Sequence, residues 1–118
     1  MRRVARSFVF AFRGIGTLLR TQTNARLHLV ATVVVVGAGF GFEIARAEWL
    51  AIVGAIGLVW MAEGVNTAIE AVVDLASSEQ HPLAARAKDV AAGAVLLAAI
   101  AAAVIGLLVF GPRLLALI

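Results

Sequence analysis

Val90-Ala91-Ala92-Gly93-Ala94-Val95-Leu96-Leu97-Ala98-Ala99-Ile100-Ala101-Ala102-Ala103-Val104-Ile105-Gly106-Leu107-Leu108-Val109-Phe110 is an unbroken run without a single charged residue. A helix of about 20 apolar residues, rising about 1.5 Å per residue, crosses the roughly 30 Å hydrocarbon layer of a bilayer. The rest of the chain agrees. Of its 118 residues 63% are hydrophobic and 14% charged, whereas soluble domains carry about 25% charge. The mean hydropathy is +1.03. A water-soluble globule is excluded, and the expected class is an all-α membrane protein with no nucleic-acid partner. The length accommodates three spans and leaves little for a fourth. Without cysteine, disulfides, thiolate chemistry and Cys-ligated zinc or iron–sulfur sites are also excluded.

The third span, at about 90–110, is expected to end at Gly111-Pro112 on one side. On the other side lies a polar loop carrying Arg86, Lys88 and Asp89, preceded by the helix-breaking Ser77-Ser78-Glu79-Gln80-His81-Pro82. A second span is expected at about 49–73 and a first, Val-rich span at about 27–44. Trp49 and Trp60 read as belt or packing aromatics, and Gly37, Gly39, Gly41, Gly54 and Gly57 as places where helices pack closely. Residues 3–20 alternate a basic stripe, Arg6, Arg13 and Arg20, with Val4, Phe8, Phe12, Ile15 and Leu19. That spacing predicts an amphipathic helix lying in the headgroup layer, weakened by Gly14 and Gly16. It is read as mature chain rather than a signal peptide, because Arg6 and Arg13 break its apolar run.

Six of the ten basic residues precede the first span, and the connection between the first two spans is nearly neutral. The positive-inside bias therefore predicts a multi-pass protein of the cytoplasmic (inner) membrane, its N-terminus and Asp74–Asp89 loop cytoplasmic and its C-terminus outside.

The second span holds the chemistry. At 100° per residue, with Glu63 at zero, Asn66 falls near about −60°, Glu70 near about −20° and Asp74 near about +20°. Three carboxylates and an amide thus line one stripe of a membrane helix, where ionised groups cost several kcal/mol unless paired, hydrated or metal-bound. Clustered hard oxygens suit Mg²⁺, which commonly arrives with nucleotide phosphates. A nearby Lys88 supplies a point charge for phosphate. A deep carboxylate can accept a proton from an alcohol at the interface. No G-x-x-x-x-G-K-S/T sequence is present, so any phosphate must be held by metal and side chains.

Ala62-Glu63-Gly64-Val65-Asn66-Thr67-Ala68-Ile69-Glu70-Ala71-Val72-Val73-Asp74 resembles the signature of the prokaryotic diacylglycerol kinase family, Glu-x-x-Asn-Ser/Thr-Ala/Ser-Ile/Leu-Glu-x-x-Val-Asp. Glu79-Gln80-His81-Pro82-Leu83-Ala84 and Ala87-Lys88-Asp89-Val90-Ala91-Ala92-Gly93 follow at the family's spacing. The resemblance covers essentially the whole chain. It implies a homotrimeric membrane kinase that passes the γ-phosphate of ATP to a lipid hydroxyl, either diacylglycerol or undecaprenol, with Mg²⁺ and with sites at subunit interfaces.

By the same resemblance Glu63 is the general base and, with Ala92, lies on the lipid side. Glu70 ligates Mg²⁺. Asn66, Asp74, Glu79, Gln80, His81, Lys88 and Asp89 belong to the ATP site, with Arg3 and Phe10 aligned more loosely. Many members carry a second metal-binding Glu before the first span. Here that position is Gln22, whose amide oxygen can ligate but adds no charge.

Two other classes compete with a kinase. A small proton-coupled transporter would use Glu63 as its proton carrier, and a non-catalytic membrane subunit would pair the acids across an oligomer. His28, near the entrance of the first span, reads as an interfacial hydrogen-bonding residue.

Overall fold

Four helices and no strand make up the chain in a computed structural model that describes residues 1–118: α1 (Arg2–Thr21), α2 (Thr23–Gly41), α3 (Arg46–Ala76) and α4 (Pro82–Leu115). The last three are long and apolar enough to cross a membrane. Gly14 and Gly16 do not interrupt α1, which buries only Leu18. At its end the extended backbone of Gln22 (φ −113°, ψ 115°) turns the chain into α2. Arg26 then reaches back from α2, donating from Nε to the Leu19 carbonyl at 3.0 Å and from Nη2 to the Arg20 carbonyl at 2.9 Å. A cation is thereby set on the negative end of the α1 dipole, satisfying carbonyls the helix leaves open.

The turn from α2 to α3 closes with Glu43 N–H donating to the Phe40 carbonyl at 3.2 Å and Ile44 N–H to the Gly39 carbonyl at 3.2 Å. This is the paired-bond helix stop in which the residue after the cap is left-handed, a place usually given to glycine. Glu43 occupies it, with φ 52°. Ile44 then tucks into a cluster with Ile52, Val109 and Phe110, against which Phe42 and Trp49 pack. Trp49 is a packing residue rather than a free belt aromatic. Its ring lies 4.9 Å from that of Phe40 and within 2.5 Å of where a Cβ on Gly39 would stand.

α3 and α4 make the most extensive helix pairing, α2 packs on α3, and α1 folds against both α2 and α3. With 31 and 34 residues, α3 and α4 are about 46 and 51 Å long. They outreach both a bilayer core and the 19-residue α2. The apolar cluster lies at one end of the hairpin, and Asn66, Glu70, Asp74 and Lys88 lie toward the other.

The helix ends differ from the sequence expectation in specific ways. α2 runs from Thr23 to Gly41 and holds most of the expected span 27–44, and α3 contains the whole of 49–73 with about a turn to spare at each end. The helix of the third span begins at Pro82, so Arg86, Lys88 and Asp89 are helical rather than in a loop. Proline is well suited to a first helical turn, whose N–H groups lack partners in any case. Nor do Gly111 and Pro112 end α4, which continues to Leu115. The last turn is held by Ala116 N–H donating to the Pro112 carbonyl at 3.1 Å and by Arg113, whose Nη1 donates to the Val109 carbonyl at 2.7 Å.

Candidate active site

Glu63 is 1% exposed, the one charged residue in the buried set. Its Oε2 has no hydrogen-bond partner. An enclosed carboxylate in apolar surroundings is costly, and proteins retain such groups mainly where they are used. One turn earlier on the same helix, Trp60 Nε1 donates to Thr32 Oγ1 of α2 at 3.0 Å. Thr32 Oγ1 in turn donates to the His28 carbonyl at 2.7 Å. This cross-helix bond sets the register of α2 on α3 and brings His28 Nε2 to 3.5 Å from Glu63 Oε2. The sequence reading gave His28 no part in the site. Nothing in one helix records which residue of another it will face. His28, Thr32 and Trp60 also wall an apolar cavity of about 290 Å³ between α2, α3 and α4, lined further by Ala55, Ala99 and Gly106.

One turn beyond Glu63, Asn66 Nδ2 donates to Glu70 Oε1 at 3.4 Å, in line with the predicted stripe. Asn66 Oδ1 is buried without a partner. The chain gathers no group of three His, Asp or Glu side chains able to hold a metal by themselves. Mg²⁺ is commonly held by one or two carboxylates, with waters and substrate phosphates completing its octahedron. A half-buried Glu70 beside an unsatisfied amide oxygen fits that mode.

Past Glu70 the stripe reaches a polar cleft of about 660 Å³ between the end of α3 and the start of α4. Asp74, Glu79, Gln80, His81 and Lys88 all line it. Lys88 Nζ lies 2.6 Å from Asp74 Oδ1, pinning the two helices together. His81 has a structural task here, because its Nδ1 accepts from Leu83 N–H at 3.1 Å and caps α4.

Other expected residues are not brought to this cleft within one chain. Asp89 and Ala92 are exposed on α4, and Arg3 is exposed at the start of α1. Gln22 is half-buried in the kink between α1 and α2. Phe10 lines a separate, mostly apolar groove of about 940 Å³ between α1 and α3, which passes Met61, Gly64 and Thr67 on the turns flanking Glu63.

Comparison with known sequences shows the family. The prokaryotic diacylglycerol kinase family matches residues 9–110. An undecaprenol kinase of Bacillus subtilis is 45% identical over 97% of this chain and 93% of its own. A diacylglycerol kinase of Synechocystis is 43% identical over 94% of this chain and 64% of its own. The diacylglycerol kinase of Escherichia coli K12 is 30% identical over 86% and 84%. The transporter reading finds no support among these relatives, all of them kinases. With three membrane-spanning helices and a family match over most of its length, the chain belongs to the prokaryotic diacylglycerol kinase family and is a membrane lipid kinase.

Proposed function

We propose that this kinase phosphorylates undecaprenol, using Mg²⁺-bound ATP, as a homotrimer in the cytoplasmic membrane with its site on the cytoplasmic side. The observation that carries this reading is the buried Glu63, followed along α3 by Asn66, Glu70 and the Asp74–Lys88 cleft. The stripe leads from apolar depth to polar exterior over about 16 Å of helix. A lipid alcohol and a nucleotide approach the membrane surface from those two directions.

In this mechanism the acceptor's chain lies in the groove between α1 and α3, beside Phe10 and Gly64, and its hydroxyl enters between the helices to reach Glu63, which is enclosed and does not line the groove itself. Glu63 takes the proton of that hydroxyl as the oxygen bonds to the γ-phosphorus and the bond from phosphorus to the departing ADP oxygen breaks. Glu70 and Asn66 Oδ1 would hold Mg²⁺, with the Gln22 amide oxygen a further ligand. When bound, the metal draws charge from the phosphate oxygens. Lys88 leaves Asp74 for phosphate, and Glu79, Gln80 and Asp89 bound the nucleotide. Such transfer relies on positioning and charge neutralisation rather than a covalent enzyme intermediate.

A neighbouring subunit supplies the walls one chain lacks, bringing Arg3, Asp89 and Ala92 into use. The homotrimer rests on the resemblance to the family, because apolar side chains standing open along membrane-spanning helices are met by lipid. Three spans put α1 and the α3–α4 connection on one side, and the arginines of α1 favour the cytoplasmic one.

Near full-length similarity to an undecaprenol kinase favours the polyprenol. Diacylglycerol is the second reading, favoured by the Synechocystis and E. coli relatives. The test is phosphate transfer by purified trimer with Mg²⁺-ATP to a short polyprenol and to dioleoylglycerol, separately and in competition. Preference for the polyprenol is expected; preference for dioleoylglycerol selects the second reading.

A further inference from the structure

We propose that His28 is a positioning residue for the catalytic base, its Nε2–H donating to Glu63 Oε2 so that the other carboxylate oxygen is turned to the lipid hydroxyl. This rests on Glu63 being the base. Oε2 is the enclosed oxygen and has no partner, and His28 Nε2, at 3.5 Å, is the one cationic or imidazole nitrogen within ion-pair reach. The other close ion pairs are committed elsewhere, Lys88 to Asp74 and Arg113 to Glu48. At 3.5 Å the pair is one small shift short of a hydrogen bond, and catalytic contacts are often long until substrate closes the site.

The shift has little freedom to go elsewhere. His28 sits four residues before Thr32 on α2, Glu63 sits three after Trp60 on α3, and the Trp60–Thr32 bond holds those two faces together. Residues three and four apart share a helix face, so the bond and the His28–Glu63 pair are neighbouring rungs between the same two helices. The imidazole is a quarter exposed while the carboxylate is enclosed. His28 can therefore reorient as Oε2 cannot.

The experiment compares wild type with His28→Leu, His28→Ala, His28→Gln, Glu63→Gln and the double variant Glu63→Gln/His28→Leu, all as detergent-solubilised oligomers checked for thermal midpoint. Both apolar variants should lower kcat about 10- to 100-fold, the scale of a misplaced reacting group, with KM for ATP unchanged. His28→Gln, which returns an N–H near the same place, should recover most of kcat. The double variant should be no slower than Glu63→Gln alone, because His28 acts through that carboxylate. Normal kcat in a folded His28→Leu or His28→Ala overturns the proposal, as does an equal fall for Gln, Ala and Leu, which marks a packing role. Near-normal turnover by Glu63→Gln overturns the base assignment itself. An inactive Glu63→Gln beside a fully active His28→Leu overturns only the role of His28.

Discussion

The Arg113 guanidinium grips the Glu48 carboxylate with two hydrogen bonds, Nη1 to Oε2 at 2.6 Å and Nη2 to Oε1 at 2.7 Å, joining the last turn of α4 to the first turn of α3. The second oxygen also accepts from Ala45 N–H at 2.9 Å, so one carboxylate both caps α3 and anchors α4. Arg113→Met should lower the thermal midpoint of the detergent-solubilised protein while sparing kcat, since the clamp lies at the end away from Glu63. Arg113→Lys should restore only part of the loss, because an ammonium cannot reproduce the planar fork. Equal midpoints for Met and Lys variants would count against the clamp.

Gly39 is the only glycine at which an added Cβ meets a side chain, the Trp49 ring at 2.5 Å. The ring is rigid and already packed on Phe40. Gly39→Ala should cost about 1–3 kcal/mol, the usual range for overpacking. Gly37→Ala serves as the control, with open space around its Cβ within one chain. Thermal unfolding of the two variants decides. Equal losses would point to a subunit contact at Gly37.

Glu43 holds a left-handed backbone at φ 52°. That conformation costs an ordinary residue about 1–2 kcal/mol, partly offset in glycine by its looser unfolded chain, worth about 0.5–1 kcal/mol. Glu43→Gly should therefore be stabilising by up to about 1 kcal/mol, and Glu43→Val destabilising. Unfolding midpoints in one detergent check the order.

Lys88 is bound to Asp74 at 2.6 Å and, in the proposed nucleotide site, gives up that partner to meet a phosphate. Lys88→Met should raise KM for ATP at least about tenfold, the loss of one charge-assisted contact. Asp74→Asn should leave KM for ATP unchanged or lower it, because the competitor for the ammonium is weakened. A raised KM in Asp74→Asn would instead place the carboxylate among the nucleotide's own contacts.

Glu63→Gln keeps the side chain's shape and removes the proposed proton acceptor. Turnover should fall about 10²- to 10⁴-fold, the contribution of general base catalysis, with ATP affinity and thermal midpoint close to wild type. Steady-state kinetics with nucleotide titration separates these.

Much of the architecture is legible locally. The uncharged run from Val90 to Phe110, the break at Ser77–Pro82 and the stripe from Glu63 to Asp74 each depend on composition or on a single helical period. The α3–α4 break appears in the structure accordingly. The ends of helices depend on contacts from elsewhere in the chain. Pro82 opens α4 rather than preceding a loop, and Pro112 is carried through, because a clamp 65 residues away in sequence holds the final turn.

Long uncharged runs and the excess of apolar residues determined that this chain is a three-span helical membrane protein, and the spacing of its acids pointed to α3 for the chemistry proposed here. Those properties belong to one helix at a time. The tertiary structure alone decided that His28 faces Glu63, that Trp60 reaches Thr32, and that Arg113 meets Glu48. Each is a contact between helices, and the register between two helices is set by side-chain packing summed along both, which no single stretch of sequence contains.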